Sequence, residues 1–182
     1  GTGICDAGGV TQMAKFGSAF PPPPNKPKKV APIPTAKLGE YVLAGKPNKI
    51  NFWYTQTCGI VGQWPNANKV IEAVKSVPFF VVAESVMTPT ARYADILLPA
   101  TTVFEYDSVM AGARNHYIQL IEKAVEPQGE AKPDYWIMGQ LAKRMGFGEA
   151  FNIPVEQMIK NVLKPSGTTY EQIKKGPVCL VK

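Results

Sequence analysis

The chain has 182 residues, a length that predicts one domain or two small ones. Apolar residues make up 45% and charged residues 19%, which is typical of a soluble globular fold whose core needs no metal or disulfide. The net charge is +6, but no dense stripe of lysine and arginine alternates with aromatic residues, so a nucleic acid is not expected as a partner.

Cysteine and histidine are too few and too scattered for a metal centre held by this chain alone. The three cysteines, Cys5, Cys58 and Cys179, show no CxxC spacing, and His116 is the only histidine. A zinc site, a c-type haem and an iron–sulfur cluster are therefore not expected here. The sequence starts with Gly1 rather than methionine, and we expect it to be part of a longer protein.

Residues 1–48 are predicted to form an irregular arm rich in proline and glycine. The arm holds the run Pro21 to Pro24 and further prolines at Pro32 and Pro34, a density that disfavours helices and central strands. It is either a flexible linker or an ordered segment that lies across a neighbouring domain. The remaining residues, 49–182, form the predicted α/β domain.

The predicted domain begins with a βαβ unit. Residues 50–54 form a β-branched and aromatic strand, and the spacing of apolar residues over 70–77 predicts a helix. Residues 79–83 are the second strand and residues 96–98 the third. Because such a unit closes right-handed into a parallel sheet, we predict a Rossmann-like, three-layer αβα fold with a mainly parallel sheet.

The C-terminal half is predicted to add one strand and three helices. The strand covers residues 117–121, and the helices cover 133–145, 155–163 and 170–174. The first of these helices has a proline in its first turn and Asp134 near its positive end, as is usual at a helix start.

Polar side chains follow the second strand, where an open α/β sheet binds its ligands beyond the carboxyl ends of the strands. They are Glu84, Ser85, Thr88 and Thr90. A pair of acids for acid/base chemistry is an alternative, although the sequence does not give the separation between any two of them. The acids near strand ends are Glu84, Asp95, Glu105 and Asp107.

Asp95 has two possible roles. A fixed carboxylate can accept two hydrogen bonds from the N1–H and the exocyclic amine of guanine, which is a planar two-point match. The same acid can instead cap the turn before the third strand. The motifs GxGxxG, Walker A, HExxH and GxSxG are absent, so the common sites that carry them are not expected.

Three segments in a fixed order resemble the molybdopterin oxidoreductases of the dimethyl sulfoxide reductase type. They read PNANKVIEAV, FFVVAESVMTPTARYADILLPATTVFE and QLIEKAVEPQGEAKPDYWIMGQLAKRMG. The resemblance covers Ile50 to Phe151, and the tail VEQMIKNVLKPSGTTYEQIKKG is similar to the branch that contains the membrane-associated dimethyl sulfoxide and polysulfide reductases.

The resemblance implies that this chain is part of a longer catalytic subunit. The matching α/β domain would hold the guanosine end of a molybdopterin guanine dinucleotide that carries molybdenum or tungsten. Any iron–sulfur cluster and the metal ligand would lie outside this chain. The implied roles are ribose and phosphate contacts at Thr57, Cys58, Gly59 and Gln63, guanine recognition at Asp95, and further cofactor contacts at Glu84, Ser85, Thr88 and Thr90.

The expected partners follow from the same resemblance. They are the remaining domains of the same subunit, an iron–sulfur electron-transfer subunit and a membrane anchor, and the parent enzyme would be membrane-associated or periplasmic. By itself this chain would show no reductase activity. The alternative is a free-standing Rossmann-like module that binds a nucleotide or a protein without redox chemistry.

Overall fold

The computed structural model describes residues 16–22, 31–111 and 116–180. Nearly half of the predicted arm, residues 1–15 and 23–30, lies outside the described residues. The described part divides into two compact units. The parallel-sheet unit comprises residues 31–101 and 128–134, and the antiparallel-sheet unit comprises residues 16–22, 102–111, 116–127 and 135–180. The predicted boundary after residue 48 stays a prediction.

The parallel-sheet unit confirms the predicted α/β fold class. Its strands are β1 (Trp53–Gln56), β2 (Phe80–Glu84) and β3 (Ile96–Pro99), with β2 in the centre and parallel to both neighbours. Helices α1 (Leu38–Leu43), α2 (Ile60–Gln63) and α3 (Ala67–Ser76) belong to the same unit, and a 3₁₀ turn covers Ala91–Tyr93.

The core of this unit forms between the central strand and the helices. Phe80 and Val82 on β2 are almost fully buried together with Val70 and Val74, which the 3.6-residue period brings to one face of α3. Asn66 starts α3 by accepting a hydrogen bond from the Lys69 N–H at 3.3 Å, which satisfies one of the free donors of the first turn.

The prediction of an irregular segment up to residue 48 is wrong for helix α1. Its Leu38 and Val42 are buried in the core of the parallel-sheet unit. Gly39 allows the close approach, because a Cβ there would lie 2.8 Å from the backbone of Lys69 in α3. Proline density averaged over 48 residues conceals a proline-free run from residue 35 to residue 46, which is long enough for one short helix.

The antiparallel-sheet unit contains strands β4 (Ser108–Ala111), β5 (Tyr117–Ile121) and β6 (Val178–Cys179) in that order. The strand predicted over residues 117–121 therefore exists, but it pairs antiparallel in this second sheet and does not extend the parallel one. Helices α4 (Asp134–Arg144), α5 (Val155–Leu163) and α6 (Tyr170–Lys175) follow closely the three predicted ranges. Short 3₁₀ helices cover Gly148–Phe151 and Lys164–Ser166 in this unit, and another covers Thr35–Lys37 in the parallel-sheet unit.

Residues 16–20 are an ordered segment that packs on helix α5. The Gly17 N–H donates to the Val162 carbonyl at 2.8 Å, and the Asn161 side-chain amide donates to the Ala19 carbonyl at 3.1 Å. The Phe20 ring lies 4.6 Å from the Phe151 ring. These contacts favour the ordered-segment alternative for this part of the predicted arm.

Among the residues that the structure describes, no helix has the length and apolarity needed to cross a bilayer.

Candidate functional site

The parallel register brings the ends of the three strands to one edge of the sheet, here called the carboxyl edge. Gln56 pairs with Ala83, and Glu84 pairs with Pro99, so the chain leaves β1, β2 and β3 side by side. Thr57 directly follows β1 and Ser85 directly follows β2. Ligands of parallel α/β sheets bind at this edge.

A fourth segment of the chain returns to the carboxyl edge next to β3. Ala100 and Lys132 form an isolated parallel bridge. The Lys132 N–H donates to the Pro99 carbonyl at 3.1 Å, and the Thr101 N–H donates to the Lys132 carbonyl at 3.1 Å. This pairing places Asp134, the first residue of α4, at the edge.

Thr57 is held in a strained conformation at the edge. Its φ is +49°, a left-handed value that a β-branched residue rarely adopts. Two contacts keep it there: its N–H donates to the Ala83 carbonyl at 3.1 Å, and its hydroxyl donates to Asp134 Oδ2 at 3.3 Å. Such strain persists only where the surroundings enforce it and is common at ligand sites.

Two buried oxygen atoms of this unit have no hydrogen-bond partner. They are Asp134 Oδ1 and Thr101 Oγ1, the only buried side-chain polar atoms without one in the described part of the chain. A buried polar atom without a partner costs about 1–3 kcal/mol, so proteins leave such atoms mainly where a ligand or water satisfies them.

The carboxylate of Asp134 lies in an unfavourable electrostatic environment. Burial raises its pKa above the ordinary value for aspartate, the nearby charge of Glu84 raises it further, and the hydrogen bond from Thr57 acts in the opposite direction. Tyr54 is affected in turn, because burial and the charge of Asp134 raise the pKa of its phenol. The Tyr54 hydroxyl donates to Gln56 Oε1 at 3.1 Å.

The structure brings together only some of the residues predicted from the sequence. Thr57, Glu84 and Ser85 lie at the carboxyl edge. Cys58 and Gly59 lie between β1 and α2, with Cys58 packed against the core, and Gln63 is the exposed last residue of α2.

The two predicted threonines use their hydroxyls inside the protein. Thr88 Oγ1 accepts from the Ala91 N–H at 3.1 Å. Thr90 is completely buried, and its Oγ1 accepts from the Val61 N–H at 3.1 Å. Both hydroxyls therefore stabilise the turn after β2 and its contact with α2.

Asp95 lies at the opposite edge of the parallel sheet, here called the amino edge. Its N–H donates to the Phe80 carbonyl at 2.8 Å, and its Oδ2 accepts from the Phe80 N–H at 2.7 Å. Phe80 is the first residue of β2, whereas Glu84 is the last, so Asp95 does not join the other predicted residues. These contacts are structural, as in the second role considered for Asp95, but the carboxylate caps the start of β2 and not the turn before β3.

The sequence interpretation missed three residues of the edge, Tyr54, Thr101 and Asp134. Asp134 was assigned only to the start of a helix, and no local pattern shows that the chain returns to this sheet after residues 102–127, which belong to the other unit. The described residues contain no group of three or more histidine, cysteine or acidic side chains that could hold a metal ion.

Comparison with known proteins identifies the family. The model of the molybdopterin oxidoreductase family matches residues 11–144. The chain belongs to this family. "Probable oxidoreductase YyaE" of Bacillus subtilis (strain 168) is 43% identical over 123 residues, which are 65% of this chain and 18% of that protein. The F420-dependent formate dehydrogenase subunit alpha of Methanocaldococcus jannaschii is 35% identical over 130 residues, 69% of this chain and 19% of that protein.

A solved structure supports the same grouping. Acetylene hydratase from Pelobacter acetylenicus superposes with a TM-score of 0.67 at 25% identity, over 80% of this chain and 20% of that chain. This molybdopterin oxidoreductase chain thus spans about a fifth of the length of the relatives that it matches.

Proposed function

We propose that this chain is part of the catalytic subunit of a molybdenum or tungsten oxidoreductase, and that its carboxyl edge binds the guanosine end of a molybdopterin guanine dinucleotide. The family implies a molybdopterin cofactor with molybdenum or tungsten. The observation that supports the nucleotide site most directly is the unpartnered Asp134 Oδ1, which is buried at the edge where such a ligand would lie.

The acceptors at the edge fit a nucleoside rich in donors. Guanine offers two neighbouring donors, N1–H and the exocyclic amine, and a carboxylate has enough lone pairs to accept both. Asp134 is therefore the better candidate for the guanine contact that the sequence interpretation assigned to Asp95. Thr101 Oγ1, the second unpartnered atom, is a candidate acceptor for a ribose hydroxyl.

Other residues of the edge orient this acceptor. The Thr57 hydroxyl donates to Asp134 Oδ2, and the backbone of Thr57 is held at a positive φ beside it. Glu84 adds negative charge beside Asp134, which favours a ligand that donates hydrogen bonds over one that accepts them. When bound, the metal and its dithiolenes would supply the two-electron chemistry, while these residues bind and orient the far end of the cofactor.

The reaction of the parent enzyme is a second part of the proposal. We retain two-electron oxo transfer of the dimethyl sulfoxide or polysulfide reductase type as the proposed activity. One of the named relatives is a formate dehydrogenase subunit and the structural neighbour is a hydratase, so the substrate branch has to be tested on a subunit that contains the whole active site.

Nucleotide titration of the chain tests the site. GMP and AMP are added separately to isotopically labelled protein while backbone amide shifts are recorded. We expect GMP to shift the amides of Thr57, Ser85 and Thr101, and AMP to shift them much less, because adenine lacks the N1–H donor. Asp134→Asn should abolish the difference between the GMP and AMP shifts, since an amide lacks the full negative charge with which a carboxylate accepts both guanine donors.

Glu72→Gln is the matched control. Glu72 lies on the exposed side of α3, so its replacement removes one acid without changing the carboxyl edge. The proposal fails if GMP and AMP give equal shifts, or if Glu72→Gln weakens the GMP response as much as Asp134→Asn does. Equal shifts would favour the alternative of a nucleotide-binding or protein-binding module without guanine specificity.

A further inference from the structure

The carboxylate of Asp134 has little in the protein to stabilise its negative charge. Its Oδ2 accepts one hydrogen bond, from the neutral Thr57 hydroxyl at 3.3 Å, and its buried Oδ1 accepts none. In the described part of the chain, no basic side chain lies within ion-pair distance of it. Lys132, the nearest basic residue in sequence, has an exposed side chain. A largely desolvated carboxylate without a cation or several donors favours its neutral form.

The titratable groups that face Asp134 do not offset this preference. Burial raises the pKa of Asp134, the hydrogen bond from Thr57 lowers it, and the charge of Glu84 at the end of β2 raises it further. Tyr54 on β1 has its own pKa raised by burial and by the charge of Asp134, so its phenol stays neutral. Thr101, on the segment after β3, offers only a hydroxyl. Asp134 therefore takes up a proton more readily than an exposed aspartate does.

The two protonation states of Asp134 offer different hydrogen-bonding patterns to a ligand. The ionised carboxylate has only acceptors, which match the N1–H and the exocyclic amine of guanine. Because Oδ2 already accepts from Thr57, the favoured position for a proton is Oδ1. The protonated group then offers one donor and one acceptor, and its donor opposes a donor of guanine. Guanine should therefore bind the ionised form far better than the protonated form.

We propose that binding of guanine at the carboxyl edge is linked to release of a proton from Asp134, so that acidification weakens the binding. This linkage rests on the proposed function, because it requires that a guanine meets Asp134. In the binding step one proton passes from Asp134 to solvent, the carboxylate accepts two hydrogen bonds from the base, and no electron moves. The affinity is complete above the pKa of Asp134 in the free protein. It falls as the pH drops through that pKa, by up to about tenfold for each pH unit.

An NMR titration of the chain tests the linkage. The carbon shift of the Asp134 carboxyl group is followed from about pH 8 to about pH 4.5, a range above the ordinary aspartate pKa of about 3.9. The signal is assigned by its loss in Asp134→Asn. We expect guanosine to lower the midpoint of the Asp134 titration and adenosine to change it much less, because adenine lacks the N1–H donor. Guanosine replaces GMP, since the phosphate of GMP itself titrates at about pH 6.

Amide shifts on the same samples give the affinity at each pH. The dissociation constant of guanosine should be at least about threefold larger at about pH 4.5 than at about pH 7.5, whereas an aspartate of ordinary pKa would change it only about 1.3-fold. In Asp134→Asn the guanosine response should not depend on pH. Glu84→Gln removes a charge that raises the pKa of Asp134, so the loss of affinity should begin at a lower pH. Glu72→Gln, on the exposed side of α3, should behave as the wild type.

Two results would overturn the linkage while leaving the guanosine site in place. The first is a guanosine affinity that stays constant over this pH range while guanosine is still preferred to adenosine. The second is a pH dependence that survives Asp134→Asn and disappears in Glu84→Gln, which would assign the proton to Glu84. Equal responses to guanosine and adenosine at every pH would instead refute the proposed function, and the linkage with it. Only pH values at which the amide spectrum is that of the folded protein are compared.

Discussion

Replacing Asp95 by alanine removes the acceptor for the first N–H of the central strand. In the structure Asp95 Oδ2 accepts from the Phe80 N–H at 2.7 Å, and Phe80 itself is only 1% exposed. A hydrogen bond to a charged group contributes about 1.5–3 kcal/mol. Because Asp95 is exposed, a water molecule can partly replace its carboxylate as the acceptor in the alanine variant. We therefore expect the free energy of unfolding to fall by the lower end of this range, about 1.5–2 kcal/mol.

Urea unfolding followed by tryptophan fluorescence measures this loss. Trp53 lies 5.6 Å from the Phe80 ring and reports on the start of β2. A loss of this size lowers the melting temperature by about 6–16 °C for a unit of this length. Asp95→Asn keeps a neutral acceptor in the same place. It should therefore lose only about half as much free energy of unfolding as Asp95→Ala does.

The guanosine response provides the decisive comparison between the two roles of Asp95. If Asp95 caps the strand, Asp95→Ala destabilises the protein but leaves the amide shifts with GMP unchanged, measured at a temperature where the variant is folded. The reasoning is refuted if Asp95→Ala unfolds at the same urea concentration as the wild type and no longer responds to GMP.

Three further predictions concern stability. Gly17→Ala should release the ordered segment of residues 16–20 from helix α5, because a Cβ there would overlap the Asn161 carbonyl oxygen. We expect faster limited proteolysis before residue 22, and an unchanged cleavage rate would contradict this prediction. Thr90→Val leaves the buried Val61 N–H without an acceptor and should cost about 1–3 kcal/mol in urea unfolding, whereas no change would contradict the contact. Asp134→Asn should stabilise the protein at pH 7, because burial raises the pKa of Asp134 in the folded state and so makes its charged form unfavourable there. The gain in free energy of unfolding should shrink as the pH falls towards about 4, where the aspartate becomes protonated. A gain that does not depend on pH would contradict this linkage.

The parallel sheet could be predicted because its signals are local. Continuous apolar runs mark β2 and β3, the apolar stripe of α3 connects β1 to β2, and the right-handed rule then fixes a parallel sheet. Because parallel strands end at the same edge of a sheet, Thr57 and Glu84 both lie at the carboxyl edge. Helix α5 was predicted with its observed ends, since its apolar period is regular and Pro154 precedes it.

The position of Asp95 shows where the interpretation was incomplete. A residue just before a parallel strand lies at the amino edge, so strand direction alone separates Asp95 from Glu84. The resemblance to a family assigned both residues to the same cofactor site. Asp134 and Thr101 could not be paired from local patterns, because their approach depends on the bridge between Ala100 and Lys132, which connects residues far apart in the chain.

That bridge also bears on how the family can diversify. Two backbone hydrogen bonds join Pro99 and Thr101 to Lys132, so the stretch between them begins and ends at neighbouring points of the sheet. Lengthening a loop whose ends are already fixed raises the entropic cost of closing it by only about 0.6 kcal/mol for each doubling of its length. Natural insertions should therefore accumulate between these anchors, where evolution can remodel the surface while the carboxyl edge keeps its geometry.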